Sequence, residues 1–178
     1  MDPDKNPFNQ VIETACVTKE ILDTVGISSY CKTSGSTGLH IYIPLGAKYT
    51  YEESKEFGRV IAKIVHSQLP DFTSIRRKTM ERKGKLYVDF LQNRPQATVA
   101  SVYSLRPKPG ATVSMPLDWS EVRRGLTMKG FTIYNAIGRL KEAGDIFKGV
   151  LGEGIDIQRA LRKIYNLLNS YCFCRNNL

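Results

Sequence analysis

Phe8, Val11, Ile12, Ala15, Leu22 and Val25 recur at the spacing of one helical face, which predicts an amphipathic helix. Asn6 and Pro7 supply its N-cap and first-turn proline, and Gly26 closes it. The period then changes to two. Leu39, Ile41 and Ile43 alternate with His40, Tyr42 and Pro44, predicting a strand from Leu39 to Leu45 with His40 on the face opposite the apolar residues. A shorter strand, Ile27 to Thr33, precedes it, and the two flank Ser34-Gly35-Ser36-Thr37-Gly38 as a hairpin would. Helical spacing returns after Thr50 and Glu53, a capping box, with Phe57, Val60, Ile61, Ile64, Val65 and Leu69 forming a stripe that Pro70 ends. That stripe packs on a sheet; His66, beside it, is assigned no function.

Alternation resumes from Lys85 to Leu91, with Leu86, Val88 and Phe90 on one face and Tyr87, Asp89 and Leu91 on the other. Asp89 is therefore expected mid-strand, where a carboxylate needs a cation, a donor or water, as an edge-strand surface residue or a metal ligand. Ala97 to Leu105 reads as a further strand that puts Val102, Ser104 and Arg106 on one face, with Arg106 at its exit. Its guanidinium suits either a surface acid or a triphosphate. Pro107, Pro109 and Gly110 then force a turn, and Asp118 with Glu121 caps a short helix starting at Trp119. Two more helices follow, Thr132 to Ala143, closed by Gly144, and Ile155 to Asn169.

Composition sharpens this picture in two places. With 178 residues, 42% of them hydrophobic, the chain can bury one core. Its net charge of +9 suits polyanionic partners, nucleic acid ahead of a membrane surface. The basic residues cluster between Ile75 and Lys85, where Arg76, Arg77, Lys78, Arg82, Lys83 and Lys85 meet one acid, Glu81. That run is either a solvated loop or a contact to a DNA backbone through Arg76, Arg77, Arg82 and Lys83. Cys16, Cys31, Cys172 and Cys174 form neither a zinc pattern nor a disulfide framework, and no signal peptide or long apolar run occurs, so a reduced, cytoplasmic location is expected. Cys172 and Cys174 lie in a terminal stretch read as a frayed tail rather than a metal site.

The hairpin loop offers three hydroxyls, two glycines and several backbone N–H groups, a composition for an anion as well as for an ordinary turn. It is not a Walker A loop, and no Gly-x-Gly-x-x-Gly unit occurs. KTSGSTGLHIYIPL, together with KLYVDFLQNRPQATVASVYSLRPKPGA and SMPLDWSEV downstream, closely resembles the polymerase domain of bacterial DNA ligase D, in the archaeo-eukaryotic primase superfamily. The resemblance implies an α/β fold, a mixed β-sheet with flanking helices. It makes residues 1–165 the C-terminal part of such a domain and leaves 166–178 as a tail of unknown role.

The family's chemistry is metal-dependent nucleotidyl transfer to a 3′-hydroxyl in non-homologous end joining, with Mn²⁺ or Mg²⁺ and a nucleoside triphosphate. By resemblance, Asp2 and Asp89 are the catalytic metal ligands, and Ser34, His40 and Arg106 hold the phosphates. Ser104 joins them through its face shared with Arg106, and Thr37 stands where many relatives carry lysine. Asp2 corresponds to the second aspartate of an Asp-x-Asp-Pro motif whose first is missing, so the chain is expected to begin inside the active site, on a fraying terminus, and to be inactive alone. DNA ends, Ku and ligase or nuclease modules are the implied partners. A non-catalytic nucleotide- or DNA-binding remnant is the alternative, and a basic structural domain without a nucleotide site is the third reading.

Overall fold

Helix α1 (Phe8–Thr24) buries Val11, Ile12, Ala15, Ile21 and Leu22 along one face. Its start differs from expectation. Pro7 is the N-cap, while the Asn6 amide donates to the Pro3 and Gly84 carbonyls at 2.9 and 2.6 Å. Gly26 ends the helix at φ 71°, a left-handed turn that lets the Ile27 N–H reach back to the Leu22 carbonyl. Helix α2 (Tyr51–Gln68) carries the Thr50–Glu53 capping box and packs Phe57, Ile61, Ile64 and Val65 into the core beside α1. His66 has a local role, its Nδ1 2.9 Å from Thr73 Oγ1.

In this computed structural model, which describes residues 1–3 and 5–175, strands β1 (Tyr30–Thr33) and β2 (Leu39–Tyr42) form the expected antiparallel hairpin. Strand β5 (Pro116–Leu117) pairs with the other edge of β1, so β1 is the middle strand of the order β2-β1-β5. A second, parallel pair joins β3 (Thr73–Ser74) to β4 (Leu86–Tyr87). The fold is mixed α/β with small sheets, and both strands of the hairpin are shorter than their apolar alternation suggested. Past Tyr42, Pro44 has no N–H for a ladder, and its carbonyl accepts from Ile155 instead.

Two other strands fall short. β4 stops at Tyr87, so Asp89 stands beyond its end, exposed, with Oδ1 accepting from the Leu91 N–H at 2.8 Å. Ala97 to Leu105 is not a strand, because Gln96 and Tyr103 both adopt φ 61° and break the extended run. Only a Leu105–Val113 bridge forms there, flanked by bonds from Arg106 N to Thr112 O and from Ser114 N to Ser104 O.

Asp118 and Glu121 cap the short turn of helix at Trp119, as expected. A four-residue helix, α3 (Thr79–Arg82), interrupts the basic run, and α4 (Ile133–Ala143) follows Thr132 and ends at Gly144. The last helix, α5 (Ile157–Arg175), is longer than the sequence pattern suggested; Ile157, Ala160 and Ile164 bury against the core. Residues 176–178 and the side chains of Cys172 and Cys174 lie outside the described residues. No helix among the described residues is long and apolar enough to cross a membrane.

Candidate nucleotide site

The hairpin register places the central side chains. Thr33 pairs with Leu39 and Lys32 with His40, so Lys32 and His40 are cross-strand neighbours on one face. Between them, Ser34 organises the loop: its Oγ accepts from the N–H groups of Ser36, Thr37 and Gly38 at 3.1, 3.1 and 3.0 Å. The N–H groups expected to converge on an anion therefore converge on the loop's own serine.

Two glycines admit neighbours that carry chemistry. Gly35, at φ 65°, lies so close under the Arg106 side chain that a Cβ would come within 2.5 Å of Arg106 Cγ and 3.0 Å of the Ser114 nitrogen. Arg106 thus crosses the hairpin loop although no strand carries it there. At Gly38 a Cβ would overlap the Met1 carbonyl, so the absence of a side chain lets the N-terminal segment lie against the loop.

That segment is held at both ends of its first peptide. The Met1 amino group donates to the Leu39 carbonyl at 2.9 Å, and Asp2 makes both backbone bonds of a bridge to Tyr87, at 3.0 and 2.8 Å. The Asp2 carboxylate meets Arg82 NH1 at 3.2 Å. The expectation of a fraying Asp2 is thereby corrected: the residue bridges β4 and is ion-paired.

Asp2, Asp89 and His40 open onto one cavity of about 360 Å³, whose floor is apolar, built by Ile41, Phe57 and Val88 among others. Two carboxylates lining one cavity are a hard-oxygen donor set that fits Mg²⁺ or Mn²⁺ better than a softer metal. Among the described residues no group of three or more His, Cys, Asp or Glu side chains forms a larger ligand cluster. Ser104 is elsewhere in character: its hydroxyl donates to the Ser101 carbonyl at 2.7 Å and closes a turn, and the shared strand face that singled it out does not exist.

Two cationic side chains flank the hairpin, Lys32 beside His40 and Arg106 over Gly35. Lys32 is fully buried, and neither it nor Arg106 forms an ion pair among the described residues. Lys32 Nζ lies 3.1 Å from His40 Nδ1 and 2.6 Å from Ser114 Oγ. Burial, with Arg106 adding repulsion, pulls the Lys32 ammonium down to about 8. Burial and then the neighbouring Lys32 charge hold His40 down to about 3, so its imidazole is neutral at pH 7. Sequence reading passed over Lys32, although counting outward from the loop already sets it opposite His40.

The basic run divides. Arg76, Arg77 and Lys83 are exposed, but the Arg82 guanidinium turns inward, bonding the Arg76 and Arg77 carbonyls at 2.9 and 2.7 Å and lying 4.0 Å from the Tyr87 ring centroid. Arg82 is thus a clamp on the run and on Asp2.

Residues 1–147 match the family model of the LigD primase-polymerase domain. The chain belongs to the LigD primase-polymerase family. The LigD match contains every candidate from Asp2 to Arg106, and residues 148–178 fall outside it. The bifunctional non-homologous end joining protein LigD of Bacillus subtilis (strain 168) is 38% identical over 143 residues, 80% of this chain and 23% of that protein. The multifunctional non-homologous end joining protein LigD of Pseudomonas aeruginosa is 31% identical over 118 residues, 66% of this chain and 14% of that protein. The chain therefore spans less than a quarter of the length of either LigD relative. Among solved structures, the polymerase domain from Mycobacterium tuberculosis ligase D in complex with DNA is similar, with a TM-score of 0.77 and 26% identity over 86% of this chain and 54% of that one.

Proposed function

We propose that this chain carries the nucleotide-holding part of a LigD-type repair polymerase, binding a nucleoside triphosphate with Mn²⁺ or Mg²⁺ beside DNA, within non-homologous end joining. The observation that carries the reading is that His40, backed by Lys32 at 3.1 Å, lines one cavity together with Asp2 and Asp89, while Arg106 lies over the hairpin loop that leads to His40. A metal-bound triphosphate calls on both kinds of group. Its phosphates need N–H and cationic donors, and its metal needs carboxylate oxygens.

In this reading His40 and Arg106 bond the phosphates directly. Ser34 holds the loop that positions both, and its hydroxyl proton remains to be given to a phosphate oxygen. Asp2 and Asp89 would hold the metal, which when bound supplies charge neutralisation and activation of a 3′-hydroxyl. Arg76, Arg77 and Lys83 track the DNA backbone. Ku and the ligase or nuclease modules are partners that the family implies for the whole protein.

The carboxylate count favours a second reading for the chain by itself, binding without transfer: in-line transfer with two metals draws on several anionic oxygens, and Asp2 is already shared with Arg82. Calorimetry with a nucleoside triphosphate and Mn²⁺ tests the reading. Binding should weaken roughly tenfold or more in His40→Ala and in Arg106→Ala, the loss of a charge-assisted hydrogen bond each. Equal affinity in wild type and both variants would remove the site.

A further inference from the structure

Lys32 is the largest fully buried side chain among the described residues, and it carries a charge. Burying an ammonium costs several kcal/mol unless an anion compensates it, on the order of the penalties for unpaired buried ions. No carboxylate does so among the described residues. Yet its surroundings are ordered to receive a proton donor. The Ser114 hydroxyl gives its own proton to the Thr33 carbonyl at 2.7 Å, which leaves its oxygen as acceptor for Lys32 Nζ at 2.6 Å. The Thr33 carbonyl is also 3.5 Å from Nζ, and the Tyr42 ring centroid 5.8 Å. The remaining near neighbour is His40 Nδ1, 3.1 Å away.

An ammonium only donates, so the nitrogen facing it must be a bare acceptor. The proton of the neutral imidazole is then on Nε2, at the far side of the ring. We propose that Lys32 is a positioning residue for the phosphate site: it fixes His40 as the Nε2–H tautomer, so that the ring meets a phosphate as a neutral N–H donor with a full positive charge directly behind it. This rests on the reading of His40 as a phosphate contact. It accounts for a buried cation that no carboxylate among the described residues neutralises, because the negative charge arrives with the triphosphate.

The geometry also explains why the ring does not simply carry the charge itself. A protonated His40 would present an N–H to the Lys32 ammonium, two donors facing each other at hydrogen-bond distance. With the lysine charged and the histidine neutral, the pair delivers one positive charge and one directed donor without that conflict. The charge comes from β1, the middle strand, and the donor from β2.

Nitrogen-15 NMR of the imidazole rings at pH 7 tests this directly. The chain has two histidines, and the His40→Ala spectrum assigns them. In the wild type His40 should show a bare Nδ1 and a protonated Nε2. In Lys32→Met the lock should be lost, as a mixture of tautomers, and triphosphate affinity in calorimetry with Mn²⁺ should fall by roughly tenfold or more. A His40 protonated on Nδ1 in the wild type would overturn the inference with no variant needed. Binding that His40→Ala weakens but Lys32→Met leaves unchanged would overturn it while keeping the phosphate site. An Nε2–H ring in a wild type that binds no triphosphate would instead remove the site, and the proposed role with it.

Discussion

Lys32 Nζ and His40 Nδ1 stand 3.1 Å apart because their residues are paired in register across one hairpin, and the lysine is the buried member of the pair. Burial and the Lys32 charge depress the proton affinity of His40, and that has consequences for stability. His40 is held at about 3 against an ordinary 6.5. The folded protein therefore binds fewer protons than the unfolded chain between those values, and the contribution is complete above pH 6.5 and lost as pH falls toward 3. Wild type should lose roughly 3–5 kcal/mol over that window beyond what His40→Gln loses. Parallel denaturant titrations of the two proteins at pH 7 and pH 4 measure it; identical losses would refute it.

Lys32→Met should leave stability at pH 7 unchanged within roughly 2 kcal/mol, or raise it. Removing a buried charge that is depressed to about 8 relieves roughly 3 kcal/mol, against which Ser114 and His40 each lose a hydrogen bond. Since both folded and unfolded lysine are charged below pH 8, wild type should gain on the variant as pH rises from 8 to 10.5. A variant destabilised far beyond that margin at pH 7 would make Lys32 a structural residue.

Gly35→Ala and Gly38→Ala should each be harmful, by different routes. At Gly35 the left-handed backbone and the Arg106 side chain both oppose a methyl group, so a loss of roughly 1–3 kcal/mol and weakened triphosphate binding are expected together. At Gly38 the methyl group would displace Met1 and, with it, Asp2 from the bridge to Tyr87. Hydrogen exchange at the Asp2 and Tyr87 amides reads this; unchanged protection in Gly38→Ala would contradict it.

Much of this was legible from local pattern, and the rest depends on distant partners. The hairpin, the two capping boxes and the apolar faces of α1 and α2 follow from residues a few positions apart. What the sequence could not display is where a residue meets something remote. Lys32 is buried by β5 and bonded to Ser114, 82 residues on. Asp2 is secured by Tyr87, and Arg82 turns inward to reach it, so a cation read as one more charge in a run became a clamp. Ala97 to Leu105 shows the converse: it reads as a strand locally, but Gln96 and Tyr103 leave the extended region and no partner strand lies alongside among the described residues.

Neutralising Arg76, Arg77 and Lys83 together should weaken DNA binding and reduce the slope of log affinity against log salt by about 0.9 for each DNA phosphate that these cations neutralise. Arg82→Gln should act otherwise, lowering stability by roughly 1–3 kcal/mol because it abandons two carbonyls and the Asp2 carboxylate. Fluorescence anisotropy over a salt series separates the two. An unchanged slope in the triple variant would return the run to a solvated loop.

Primer extension by this chain with Mn²⁺ should be negligible, since among the described residues Asp2 and Asp89 are the carboxylates that line the cavity and one of them is ion-paired. Robust extension that Asp89→Ala abolishes would show the two to be sufficient.

In the proposed site His40 and Arg106 receive phosphates and Asp2 and Asp89 receive metal, and a crystal structure of the chain with a nucleoside triphosphate and Mn²⁺ tests that division most directly. Phosphate oxygens should lie within hydrogen-bond distance of His40 Nε2 and the Arg106 guanidinium, with Mn²⁺ on Asp2 and Asp89. A triphosphate seated instead on the exposed Arg76, Arg77 and Lys83 surface, with that cavity empty, would contradict it.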